Sequence, residues 1–438
     1  MQNRDLKLPE HNLIRQHILQ ALFRYWSEDR EPLVHLPIPY TEVKQVSGAL
    51  KLLAVRLPEW AADLGVDGEL MVPEESCKNE NDWENVDWWL AAFLLLECWH
   101  ERVWESRHGR PIHSYSFRLE KWDCRAWQAA WVNRIALFLR RWVAQNAGQC
   151  SDRILGPIPS LEIHVTHDVD AIEKTIPIRL KQCSFNIFNA VRQLLKGEVR
   201  IAVDKVNSAI RFLFGREDWW VFDELFAVEK KAGIHAQFNF CADMRRKTLK
   251  AWLFDPGYDI TQPRLKQLFR KIIDINGTIG LHPTFDAWSD FELINAQKNW
   301  LSSNIKKNIT ACRQHWLRFS WQDTWAAQEQ AGIKSDTTLM FNDRPGFRSA
   351  AALAWRPWCQ KQEKAHELTA LPSVFMDSHF YDYRTMNEND RRVSIEKWMQ
   401  ECKFVGGQIA VLWHPHTLAS DYGWRQGFET LLEMIDGE

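Results

Sequence analysis

The sequence predicts an α/β protein, a (β/α) barrel over residues 156–438 preceded by a mostly helical, Trp-rich N-terminal domain over residues 1–150. Three observations predict it. Beyond residue 160, short apolar runs alternate with amphipathic helical patterns, the rhythm of parallel strands joined by helical crossovers. Before residue 146, apolar residues recur at spacings of three and four instead. Between the two, residues 146–160 concentrate Gly, Pro and Ser and read as a linker. The second region is long enough for one barrel of about 250 residues with insertions and shows no internal repeat. A doubly wound sheet is the alternative arrangement.

Taken in order, Asp87 is an N-cap for a helix running from Trp88 to about Arg102. Trp127, Trp131, Ile135, Phe138 and Trp142 make one helical stripe stopped by Gly148, and the two helices are expected to pack together. Residues 161–166 read as the first barrel strand, 218–232 as a helix closed by Gly233, and 235–241 as a strand. Residues 263–275 read as a helix with Pro at its start and Asn276-Gly277 at its end, followed by a strand over 278–282. Ser320-x-x-Asp323 resembles a capping box for a helix ending near Gly332, and 408–413 is a late strand.

Composition narrows the function. The chain has 438 residues, 45% hydrophobic and 26% charged, with 55 Lys+Arg against 57 Asp+Glu, which excludes a disordered or nucleic-acid-coating protein. Its nine cysteines are scattered singly, without C-x-x-C pairs, as in a reducing compartment. The first residues run into charges without the apolar core of a secretory signal, so a cytoplasmic location is expected. The apolar run 88–96 is far short of the ~20 residues that cross a bilayer. Tryptophan is abundant, 24 against 7 Tyr, and serves packing more often than sugar stacking. Residues 179–216 carry eight Lys/Arg against two acids, with apolar residues at helical spacing. That pattern suits an amphipathic contact with an anionic membrane, a clamp for an acidic sugar carrier, or an ordinary basic insertion.

Four polar clusters fall where strands end, the place where a parallel barrel keeps its functional groups. Thr166-His167-Asp168-Val169-Asp170 puts two carboxylates on one side of an extended chain, which suits a divalent cation plus a base; a helix N-cap is the structural alternative. Gly280-Leu281-His282-Pro283-Thr284, Arg313-Gln314-His315-Trp316-Leu317-Arg318 and Leu412-Trp413-His414-Pro415-His416 each supply a histidine. Singly each is compatible with a structural histidine, but four in one domain point to a site.

Together with Gly346-Phe347-Arg348 and Met376-Asp377, these motifs resemble, in order over 160–416, the polysaccharide deacetylase superfamily. The similarity is greatest to the subgroup of bacterial surface-polysaccharide gene clusters that carries an extra N-terminal domain. The resemblance implies a distorted seven-stranded (β/α) barrel, one divalent metal ion, zinc by preference, and hydrolysis of an N-acyl group from an amino sugar. It further implies Asp168 as catalytic base, Asp170 and His282 as metal ligands, Arg348 as the residue orienting the base, and His414 as general acid. The family's second histidine would stand at position 286, where this chain has Asp286, so either Asp286 or His315 completes the ligand set, with His315 preferred. Asp336 and Asp377 are candidates for tuning His414 or the base. The substrate is then expected to be a nucleotide- or lipid-linked intracellular precursor, met at the inner face of the membrane. A non-catalytic carbohydrate-binding protein on the same barrel and an amidohydrolase for a non-sugar amide such as a ureide are the competing readings.

Overall fold

The computed structural model describes residues 6–26, 30–78, 82–195, 197–215, 218–244, 248–383 and 386–436. Twelve strands occur among them. β1 (Leu52–Arg56) and β2 (Glu69–Pro73) form an antiparallel pair in the N-terminal region, so that region is not purely helical. The main sheet is built from β3 (Glu162–Val169), β4 (Gln237–Phe240), β5 (Thr278–Leu281), β6 (Ala311–Cys312) and β7 (Ser335–Asp336). A small antiparallel pair, β8 (Trp358–Cys359) and β9 (Lys364–Ala365), interrupts the order. β10 (Thr369–Ala370), β11 (Ser373–Met376) and β12 (Gln408–Leu412) complete it.

The main sheet runs β10-β7-β6-β5-β4-β3-β12-β11, and every pairing is parallel. Its edges, β10 and β11, are separated in sequence by only Leu371 and Pro372, so one stretch of chain joins both edges of a curled sheet. The sheet divides into eight strands where seven are expected, because the stretch 369–376 is split into β10 and β11. The stretch 369–376 pairs with β7 at its start and β12 at its end, and its pairing is broken between the two.

The crossover helices follow local chemistry. Pro263–Asp274 starts on Pro at its first turn, where a missing N–H costs nothing, and buries Leu265, Leu268, Phe269 and Ile272 on one face. It ends at Asn276, whose φ of +60° lies in the left-handed region. Phe291–Ile305 is capped by Asp290, which accepts from the Leu293 N–H, and Glu388–Phe404 by a capping box of Asn387 and Asp390. The capping box expected at Ser320 does not form. Asp323 precedes the helix Thr324–Gln330 without capping it, and the Ser320 N–H donates to Thr324 Oγ1 instead.

In the N-terminal region Asp87 caps Trp88–Leu96, every residue of which is buried. The helix does not continue to Arg102: it breaks at Cys98, φ +44°, and restarts as Trp99–His108. The break sets the buried Glu97 carboxylate among His17, Arg102, Trp355 and the Trp358 N–H. Trp131–Ala147 packs against the first helix, with the Trp88 and Phe138 ring centroids 4.8 Å apart, and ends at Gly148, φ +61°. The expected linker is not a free tether. Ser151–Leu155 is helical, and the buried Arg140 binds Asp152 and the carbonyls of Leu155 and Gly156.

One hydrophobic core runs through both regions, from Ile14 to Leu432. The large buried tryptophans, among them Trp26, Trp88, Trp99 and Trp325, belong to it, so packing is their role.

Candidate metal centre

All strands of the main sheet are parallel, so the residues at their C-terminal ends share one rim. Along β3 the side chains alternate. His167 turns outward to Glu229 (2.5 Å) and the Trp413 carbonyl (2.6 Å), whereas Thr166 and Asp168 turn inward. Asp170 follows the strand, His282 follows β5, and His315 stands three residues beyond β6.

These last three converge. His282 Nε2 lies 3.3 Å and His315 Nε2 3.6 Å from Asp170 Oδ1, and one donor atom from each of the three lies within 4.8 Å of the others. Each imidazole is held by its other nitrogen. His282 Nδ1 meets the Arg313 carbonyl at 2.7 Å, and His315 Nδ1 meets Asp255 Oδ1 at 3.3 Å. With Nδ1–H spent on these acceptors, both Nε2 lone pairs face the Asp170 carboxylate. Asp170 Oδ1 is buried and receives no hydrogen bond. Two lone-pair nitrogens around an orphaned carboxylate oxygen repel one another unless a cation sits between them, so the donor set fits one divalent ion.

Two further groups flank the triad. Asp168 Oδ1 accepts from Asn239 Nδ2 (2.8 Å) and faces Arg313 Nη1 at 3.5 Å, while Oδ2 lies 3.9 Å from His282 Nε2. His414 Nε2 stands 3.6 Å from Asp170 Oδ2. Its Nδ1 binds Asp377 at 2.9 Å, and the His414 N–H donates to the same carboxylate at 2.8 Å. Burial lowers the His414 pKa, but the Asp377 charge and hydrogen bond, with Asp170 and Asp168 behind them, outweigh it and raise the group to about 10.

Three expected roles do not match their placement. Arg348 is remote from Asp168: its guanidinium is spent on Glu101 (2.7 Å), Ser114, and the carbonyls of His113 and Met340. Arg313 takes the place beside Asp168, anchored by Thr166 (2.6 Å), Ser373 (2.8 Å) and the Thr337 carbonyl. Asp286 is exposed and pairs with Lys250 at 2.6 Å, just before a short 3-10 turn. Asp336 lies under Trp325, Gln328 and Thr338, away from His414, and burial raises its pKa. Asp377 does meet His414.

Arg313, Asn239 and Asp255 are additions. Arg313 has a signal in sequence, because it stands two residues before His315 in the same extended stretch and so faces the same side. Asn239 and Asp255 have none, since only the sheet register and a loop bring them in.

No family model matches this chain, and no curated protein does. Among solved structures it is similar to a "putative polysaccharide deacetylase" from Mycobacterium smegmatis, at 14% identity and a TM-score of 0.39, covering 64% of this chain and 85% of that one. It is also similar to a CE4 family pseudoenzyme from Bacillus anthracis, at 9% identity and a TM-score of 0.28, over 64% and 61% of the two chains. A third is the Puue allantoinase, at 9% identity and a TM-score of 0.37, over 65% and 89%. Similarity at this level carries no functional weight.

Proposed function

We propose that this chain is a metal-dependent amidohydrolase that removes an N-acyl group, N-acetyl by preference, from an amino sugar of a surface-polysaccharide precursor. The observation that carries the reading is the pairing of an Asp-His-His donor set with two differently poised groups, Asp168 on the His282 side and His414 at the other oxygen of Asp170. Asp170, His282 and His315 would hold the cation. When bound, it supplies a water of lowered pKa and a polarised amide carbonyl.

The protein's own groups do the rest. Arg313 and Asn239 both address Asp168 Oδ1, which leaves Oδ2 free to take the proton of the attacking water. Asp377 fixes the His414 ring through Nδ1, so the proton to be delivered to the leaving amine sits on Nε2. The charge and hydrogen bond of Asp377 favour the protonated form of that ring. Water is thus divided between the acyl carbon, which leaves as a carboxylate, and the sugar nitrogen, which leaves as an amine. A binding protein without chemistry has no need of an acid and a base poised apart across a cation site, and this favours hydrolysis over mere carbohydrate binding.

The test is elemental analysis of identically purified wild type, Asp170→Asn, His282→Ala, His315→Ala and Asp286→Ala, with amine release from N-acetylated sugars measured alongside. About one zinc or similar ion per wild-type chain, lost in the first three variants and retained in Asp286→Ala, is the expected outcome. Wild type that takes up no divalent ion after reconstitution refutes the reading.

A further inference from the structure

Between β3 and the helix Phe222–Lys231 the chain inserts two helices, Ile176–Leu195 and Val199–Phe214, packed along each other as a hairpin. Their large apolar side chains face away from the protein. On the second helix Val199, Val203, Val206, Ile210 and Phe214 recur at spacings of four, three, four and four, and each is between 44% and 72% exposed. On the first, Ile176, Leu180, Ile187, Val191 and Leu194 form a matching exposed row. Among the described residues, the buried positions of the pair are small or polar: Asn186, Ala190, Ala202 and Ala209, with Phe212 anchoring against Trp219 and Tyr422. This is the reverse of a helix pair built to bury its apolar face in its own domain.

The surface is also basic: six Lys/Arg against two acids lie among its described residues. Residues 179–216 hold eight Lys/Arg against two acids in a chain whose formal net charge is −2. Arg192, Arg200 and Arg211 are exposed beside the apolar rows, whereas Lys196 and Arg216 lie outside the described residues. The apolar surface continues to the metal centre through Leu249, Trp252 and Leu253, each at least 40% exposed, and Asp255, the partner of His315, follows at once. Lys181 ties the two parts together: its Nζ donates to the Leu253 carbonyl (3.0 Å) and lies 5.5 Å over the ring of Trp316.

We propose that this face seats the protein on an anionic lipid bilayer, the apolar rows entering the headgroup–acyl boundary and the flanking arginines meeting lipid phosphates. Charge decides the occupant: a second copy would bring the same basic surface against this one, whereas an anionic bilayer offers both apolar depth and opposite charge. The contact is peripheral, since no helix among the described residues is long and apolar enough to cross a membrane. A substrate class follows if the proposed hydrolysis is correct: the metal centre adjoins this face through Asp255 and His315, and the amino sugar would arrive on a lipid carrier.

The experiment is flotation of the full chain with vesicles of phosphatidylcholine alone and of phosphatidylcholine mixed with phosphatidylglycerol. Wild type is expected to float with the mixed vesicles and to release as salt rises. Val206→Glu/Ile210→Glu, on exposed positions, is expected to lose at least roughly tenfold in binding with its melting temperature retained. Arg200→Glu/Arg211→Glu, at exposed polar positions, provides the same test if the first variant unfolds. Wild type that ignores anionic vesicles overturns the proposal, as does a wild-type dimer that either variant dissociates, which would assign the face to a second copy. Neither readout needs turnover or bound metal, so failure here leaves the proposed hydrolysis standing, and failure of that reading leaves the membrane contact standing.

Discussion

Asp377 receives four hydrogen bonds, from His414 Nδ1, the His414 N–H, Thr417 Oγ1 and the Ser378 N–H, so its carboxylate is fully committed to one geometry. That commitment fixes the orientation of the His414 ring and favours its charged form. In Asp377→Asn one face of the side chain becomes a donor, the His414 ring loses its counter-charge, and proton delivery to the amine weakens. The expected result is a kcat about 10²-fold lower with metal content unchanged, since general acid catalysis is typically worth 10²–10⁴. An unchanged kcat would show that Asp377 only holds the loop.

At the scale of one strand pair, β4 and β5 lie in a register that sets Asn239 opposite Gly280. A Cβ at Gly280 would collide with Asn239 Oδ1, so the absence of a side chain on β5 lets Asn239 reach Asp168. Gly280→Ala is therefore expected to push Asn239 aside and to lower kcat roughly 10- to 100-fold, the scale that a 1 Å misplacement can cost, while the ion stays bound. Parallel assays of turnover and metal content check it, and a variant as active as wild type would show that Arg313 alone positions the base.

Across the whole molecule, the N-terminal region is built into the barrel. Arg134 pairs with Glu401 at 2.5 Å, Asn133 Nδ2 donates to the Ala352 carbonyl at 2.9 Å, and Arg348 binds Glu101, all across the seam. Glu105 sits at the same seam, accepting from the Ile112 N–H, Ser320 and the Trp321 N–H. Burial, aided by the Glu101 charge and opposed by the hydrogen bond from Ile112, pushes Glu105 up to about 8. A carboxyl raised on folding keeps its proton in the native state while the unfolded chain gives it up, so its contribution is present below the ordinary carboxylate pKa and is lost as pH rises towards 8. Melting temperatures of wild type and Glu105→Gln should therefore diverge between pH 5 and pH 8, the variant gaining relative to wild type. A gap that does not change with pH would mean that Glu105 is ionised in the fold.

The strand and helix rhythm of the barrel, the helix stops at Gly148 and Asn276-Gly277, and the polar clusters at strand ends are all legible in the sequence, because each is a local property of alternation, turn chemistry or spacing. The sequence also singled out Asp168, Asp170, His282, His315 and His414. Their partners depend on the fold. Arg313 rather than Arg348 reaches Asp168, because Glu101 of the N-terminal region captures Arg348. Asp286 turns to Lys250, and Asp255, silent in sequence, reaches His315 from a loop. Asp336 and Asp377 are both buried carboxylates, yet only the second meets a site histidine. The physical reason is one of range. Periodicity and capping act over a few residues, whereas the partner of a buried charge is chosen by whichever distant segments the core brings within hydrogen-bonding reach.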